Sequence, residues 1–233
     1  MLKGSDRNEG LERVKSALRL KIRRYLLLIL IGIPALSILT PPVEGSEYQE
    51  DVRIEKEKVI KWRKERDQFF KTHQRSPLRP ADQKKFKSVD YFPFNPQYYF
   101  TGQIKREILH INDPKYYATF LTNKGTNKRY IRYGKFHFNL DGKDFELEVY
   151  KSILSDTLFI PFKDLTNGKE TYEGGRYIDA EILTGYRMVL DFNMAYEPSC
   201  AYNDRFVCAI PPKENSLSIE IKAGERNFKG ERL

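Results

Sequence analysis

Between Phe136 and Val149 apolar and polar residues alternate strictly. Phe136, Phe138 and Leu140 flank His137 and Asn139, and after Asp141-Gly142 come Phe145, Leu147 and Val149 around Glu146 and Glu148. A period of two places all six apolar side chains on one face, and Asp-Gly suits the tight turn of a hairpin. Such a face must be covered by a second sheet or by closure of its own sheet. The same period predicts strands at Ile104–Ile111, Tyr116–Thr122, Lys128–Tyr133, Thr157–Phe162, Arg176–Ala180, Tyr186–Phe192 and Ser216–Lys222. Eight or so strands without intervening helices predict an antiparallel sandwich or a partly open barrel.

One helix precedes them. Residues 47–73 run without Gly or Pro, with Ser46 as N-cap and Glu47, Glu50 and Asp51 near the positive end of the macrodipole. Val52, Val59, Trp62, Arg66 and Phe69 make a narrow stripe, widened by Ile60 and Phe70, that lays the helix across the domain. The fold class is therefore mainly β with one long N-terminal helix (α+β), and residues 47–233 form a single domain. Between helix and strands, residues 89–100 hold six Tyr or Phe, interrupted by Pro93 and Pro96. Proline forbids a central strand here, so the segment reads as an aromatic plug along the sheet.

Tyr25 to Leu39 is fifteen residues without a charge, preceded by a basic tail. A full span needs about 20 apolar residues, so residues 25–40 read as an uncleaved signal anchor or as the apolar region of a signal peptide. Either way the Lys/Arg-rich residues 1–24 stay in the cytoplasm. The main domain, joined through the linker 41–46, then lies outside it, membrane-anchored or secreted. The formal net charge is +9, but residues 1–24 carry eight Lys/Arg against three acids, so more than half of the excess precedes the apolar segment. The field thus serves topology, and no nucleic-acid partner is expected. The expected partners are the membrane, through residues 25–40, and a small molecule or envelope protein.

The densest stretch of unusual residues is Gly168 to Glu225. It holds Gly168-Lys169-Glu170-Thr171-Tyr172, Gly174-Gly175-Arg176-Tyr177, Leu190-Asp191-Phe192-Asn193, Ala195-Tyr196, Cys200-Ala201-Tyr202, Pro211-Pro212, Glu214-Asn215 and Ala223-Gly224-Glu225. With Trp62-Arg63, Arg66-Asp67, Phe69-Phe70 and Ser76-Pro77-Leu78, these strings resemble domain-of-unknown-function family 1684, over about residues 57–225. The family's usual pattern has Asn-Pro after Ala-Tyr and Cys-Pro at the second cysteine, where this chain has Glu197-Pro198 and Cys208-Ala209. The resemblance implies no activity.

The residues themselves point to a site around 171–215. Asp191 and Asn193 share one face of a strand. They are expected either to cap the turn before Tyr196 or to floor a pocket with Tyr196, Tyr202, Glu214 and Asn215. Arg176 reads as an ion-pair partner of Asp179, Glu181 or Asp191, or as a clamp on an anionic ligand. Asp191 and Glu214 are acid/base candidates if they converge, which would make the domain a hydrolase of an anionic or sugar-like substrate. No catalytic signature accompanies them, so a non-enzymatic binding module is favoured. Cys200 and Cys208, in an oxidising compartment, are expected to form a disulfide around a short loop. Metal binding is disfavoured, because His73, His110 and His137 are remote in sequence. Neither a metal nor a cofactor is expected.

Overall fold

The computed structural model describes residues 44–229, and the chain divides after Glu50, with the residues from Asp51 onward forming one compact unit. The basic tail and the apolar segment 25–40 lie outside the described residues. Among those described, no helix is long and apolar enough to cross a membrane.

Seven strands follow the helix: β1 (Tyr99–Lys105), β2 (Tyr117–Leu121), β3 (Asn127–Leu140), β4 (Lys143–Lys151), β5 (Leu158–Phe162), β6 (Arg176–Ala180) and β7 (Arg187–Asp191). They form one antiparallel sheet in the order β6-β5-β4-β3-β1-β7, with β2 added to the start of β3. The β3–β4 hairpin has the register its alternation predicts, Phe138 facing Phe145 and Phe136 facing Leu147. Asp141 and Gly142, with φ of 52° and 75°, supply the two left-handed residues that its tight turn requires. The apolar faces of β3 to β7 curl around a core that includes Phe136, Leu147, Ile160, Phe162, Met188, Leu190 and Phe192. Each such side chain contributes about 1.5–3 kcal/mol by leaving water. The sheet is a nearly closed barrel, because β6 meets the segment that follows β7 where Tyr177 and Tyr196 exchange backbone hydrogen bonds of 2.9 Å.

Several boundaries differ from the sequence reading. Lys128–Tyr133 and Phe136–Leu140 are one strand, bent by a bulge between Arg132 and Gly134. A Cβ on Gly134 would sit 2.7 Å from the Lys105 carbonyl oxygen, so the bulge lets β1 approach only a glycine. β1 starts within the aromatic segment at Tyr99 and ends at Lys105, leaving most of the expected strand 104–111 as loop. Ser216–Lys222 is not a strand. Its segment meets the end of β5 through a parallel bridge between Lys163 and Ser216, and the Ile221 carbonyl is taken by a side chain, that of Arg176.

The helix α1 (Glu44–Thr72) begins ahead of the expected Ser46 cap. Its buried side chains include Val59 and Phe70, with Trp62, Arg63, Arg66 and Phe69 half-buried beside them, whereas Ile60 is exposed. Arg66 anchors the helix. Its guanidinium forks onto both oxygens of the fully buried Glu225, and its Nη2 also donates to the Glu197 carbonyl at 3.3 Å. Burial alone would lower the Arg66 pKa, but Glu225 holds it above its ordinary value. Tyr202 Oη (2.8 Å) and the Glu197 N–H (2.7 Å) donate to Glu225 as well. Gly224 permits this corner, since a Cβ there would lie 2.5 Å from the Ala195 carbonyl oxygen.

Candidate functional site: the seam of the barrel

Among the described residues, two bridges close the barrel along its β6–β7 seam. One is the Tyr177–Tyr196 bridge, and the other is the Leu183–Arg187 bridge beside the connecting turn. Between them, among the described residues, no backbone ladder joins Ile178–Ala180 to Val189–Asp191. The cause is local. Asp191 ends β7 by capping a 3-10 turn, Phe192–Met194, accepting the Asn193 N–H at 2.9 Å, so the chain turns away before it reaches Tyr196. A cleft of about 340 Å³ opens in the gap.

Asp179 and Glu181 line it from the β6 side, Val189 and Asp191 from β7, and Tyr99 from β1; α1 adds Glu55 and Lys58. Lys58 is paired to Glu55 at 2.6 Å, and among the described residues the other three carboxylates form no ion pair. Asp179 accepts a hydrogen bond from Tyr196 Oη at 2.8 Å, and the Arg66 guanidinium lies 4.7 Å over the Tyr196 ring. Desolvation raises the Asp191 pKa, with the Asn193 hydrogen bonds opposing it and Glu55 adding to it. Desolvation also raises Asp179, which is open to the cleft on one side and walled by the barrel on the other. Two carboxylates in partly dry surroundings, whose desolvation Arg66 and Arg63 offset only in part, attract a cation. Among the described residues no group of three or more side chains is placed to hold a metal ion.

The expected site residues separate into those near this cleft and those spent elsewhere. Asp191 lines it and Tyr196 borders it through Asp179. Asn193 lies behind, fully buried, exchanging hydrogen bonds of 2.9 Å with the Asn95 backbone. Tyr202 is committed to Glu225. Asn215 clips β4 to β5, accepting from Glu148 N (2.8 Å) and donating to the Glu148 and Pro161 carbonyls. Arg176 is neither a clamp nor a partner of Asp179, Glu181 or Asp191. It is wholly buried, paired to Asp164 at 2.8 Å, and it gathers the carbonyls of Ile221, Ala223 and Glu225. Glu214 is exposed on a 3-10 turn (Lys213–Asn215) that packs by β4. Asp191, Glu214 and Arg176 therefore do not converge, and the acid/base pair expected for a hydrolase is not assembled.

Cys200 and Cys208 are together, as the loop reading expects, but they stand as two buried free thiols rather than a disulfide. The Cys200 N–H donates to Cys208 Sγ at 3.2 Å. The Cys200 thiol, hydrogen-bonded to its partner, holds the Cys208 pKa below its ordinary value and is itself pushed up.

Sequence reasoning missed Tyr99, Glu55 and Lys58 as site residues and saw Asp179 and Glu181 only as ion-pair partners. The available signal was the period of β6: Asp179 is exposed between buried Ile178 and Ala180, opposite in facing to its apolar neighbours.

Comparison with known proteins agrees with this architecture. No match was found among curated proteins. The solution NMR structure of an uncharacterized protein from gene locus rrnAC0354 of Haloarcula marismortui is 32% identical, with a TM-score of 0.60, covering 76% of this chain and 96% of that one. Residues 84–226, which include all seven strands and Glu225, match the model of DUF1684, described as a protein of unknown function. The chain belongs to the DUF1684 family.

Proposed function

We propose that this domain is a non-enzymatic binding module that holds a small cationic ligand, an amine, in the seam cleft. The observation that carries the reading is the gap between β6 and β7, closed at both ends, with Asp179, Glu181 and Asp191 on its walls. An ammonium group there gains from carboxylates that are only partly hydrated, and the Tyr99 ring offers a face to its alkyl stem or its charge. The volume, about 340 Å³, sits at the small end of ligand pockets and suits a molecule of a few carbons. The apolar segment 25–40 and its basic flank support a place outside the cytoplasm, tethered to the membrane or released from it.

The test is isothermal titration of the full-length chain in detergent with 1,5-diaminopentane, beside its Asp179→Asn and Asp191→Asn variants. Asn at 191 keeps an oxygen for the Asn193 hydrogen bonds, so the cap survives the substitution. Binding that weakens by about tenfold or more in each variant supports the reading. No binding to the parent chain, or equal binding to all three, refutes it.

A further inference from the structure

Away from the seam, a larger cleft of about 650 Å³ opens where the loop after β1 passes over β3 and β4. Its lining holds Lys105, Arg106, Lys115, Arg132 and Lys135 against Glu107, Glu146 and Glu148. The floor is internally paired: Lys135 meets Glu146 at 2.6 Å and Glu148 at 3.5 Å, and Arg132 meets Glu148 at 3.3 Å. The rim is not. Lys105, Arg106 and Lys115 form no ion pair among the described residues.

Arg106 is the informative member. Its guanidinium carbon lies 4.5 Å from the centre of the Tyr133 ring and 4.9 Å from that of Tyr186. Two aromatic contacts hold the guanidinium, while among the described residues no acceptor takes its N–H groups. Unlike Lys, a guanidinium so held is preorganised for two parallel hydrogen bonds to an oxyanion. One of the two rings is placed at a backbone cost. Tyr133 sits in the β3 bulge, beside Gly134, where a Cβ would meet the Lys105 carbonyl oxygen. Tyr186, exposed and bulky, adopts a φ of 58°, a region such a residue rarely enters. The turn holds it there by a hydrogen bond from Ile104 N to the Tyr186 carbonyl, 2.9 Å. Strain of this kind persists where the surroundings over-determine it, and it gathers at ligand sites.

We infer that this cleft is a second binding site, for a soluble phosphorylated small molecule, with Arg106 forking onto a phosphoryl group and Lys105 and Lys115 completing its charge. The cleft volume lies within the range of small-molecule pockets, and the half-buried Tyr117 on its wall can receive an apolar or planar part of the ligand. The inference is independent of the amine reading, since the two clefts share no lining residue.

The experiment titrates the full-length chain in detergent with sodium pyrophosphate, alongside Arg106→Ala, Arg106→Lys and Tyr186→Gly. The expected result is binding that weakens about tenfold or more in both Arg106 variants, because Lys keeps the charge and loses the fork. Tyr186→Gly is the diagnostic change: glycine tolerates the positive φ, so thermal stability holds or rises while pyrophosphate binding falls. Absence of binding overturns the proposal, as does binding that Arg106→Ala leaves intact. A parallel arm uses vesicles of phosphatidylglycerol and phosphatidylcholine. Arg106-dependent binding to vesicles without binding to pyrophosphate places the phosphate on a lipid headgroup, and overturns the soluble ligand.

Discussion

Glu197 offers a sharp quantitative test of the buried network. It is 1% exposed and accepts the Tyr172 N–H at 2.7 Å. Burial pushes its carboxyl up to about 8, and neighbouring Glu225 pushes the same way; the Tyr172 and Phe228 amides and Arg176 offset only part of this. The unfolded chain has its Glu near 4.5. Between these values the folded state binds more protons than the unfolded state, so stability falls as pH rises. One pKa unit corresponds to about 1.4 kcal/mol, and from pH 6 to pH 9 this group alone removes about 2–3 kcal/mol.

Glu197→Gln keeps the shape and the acceptor for Tyr172 but cannot ionise. The variant should therefore gain on the parent by about 2–3 kcal/mol as pH is raised from 6 to 9, most of it before pH 8. Urea unfolding at each pH, followed by the fluorescence of Trp62, the only tryptophan in the chain, reads the difference. Titrating groups that do not interact with Glu197 are common to both chains and cancel in the comparison. Parallel stability–pH curves for the two would refute the reasoning, and would mean that Glu197 is charged and compensated in the fold.

Arg176→Met should cost about 3–5 kcal/mol, because it leaves Asp164 buried without its cation and frees three carbonyls; a loss below about 1 kcal/mol in urea unfolding contradicts the structural role given to it. Gly224→Ala places a methyl against two backbone oxygens at a φ of 78°, so its thermal midpoint should drop by several degrees at least, whereas an unchanged midpoint would mean that this corner can shift. The two thiols lie close enough to be joined: diamide should remove one hydrogen from each and close a disulfide, so that iodoacetamide under denaturing conditions adds two groups before treatment and none after it. Two groups added after treatment would show that the loop holds the sulfurs apart.

The hairpin and the single long helix were legible because each rests on a local rule. Alternation sets the facing of Phe136 to Val149, Asp141-Gly142 sets their turn, and an unbroken run without Gly or Pro sets the helix. The errors lie where a distant side chain competes with a ladder. Ser216–Lys222 carries a strand's alternation, but Arg176, 45 residues earlier than Ile221, takes the Ile221 carbonyl. The loop after Lys105 carries isoleucines at 108 and 111 that look like a strand's, and both are exposed. Nothing within those few residues announces that β1 has already ended against Gly134.

The candidate site was legible in its parts and illegible in its assembly. Asp191, Tyr196 and Asn193 were found because they crowd one stretch, yet crowding in sequence is a poor guide to convergence in a barrel. Arg176 and Glu214 belong to the same stretch and go elsewhere, one to the interior on Asp164, the other to solvent. What brings Asp179 to Asp191 is closure: β6 and β7 stand at opposite ends of the strand order, and only the curl of the whole sheet returns one to the other. The length of the seam left unpaired is then set by where the Asp191 cap turns the chain, a local event with a non-local result. The third wall comes from α1, more than a hundred residues earlier, held in place by Arg66 on Glu225. A site made this way depends on sheet curvature and on one buried ion pair, and neither has a signature that a window of sequence can hold.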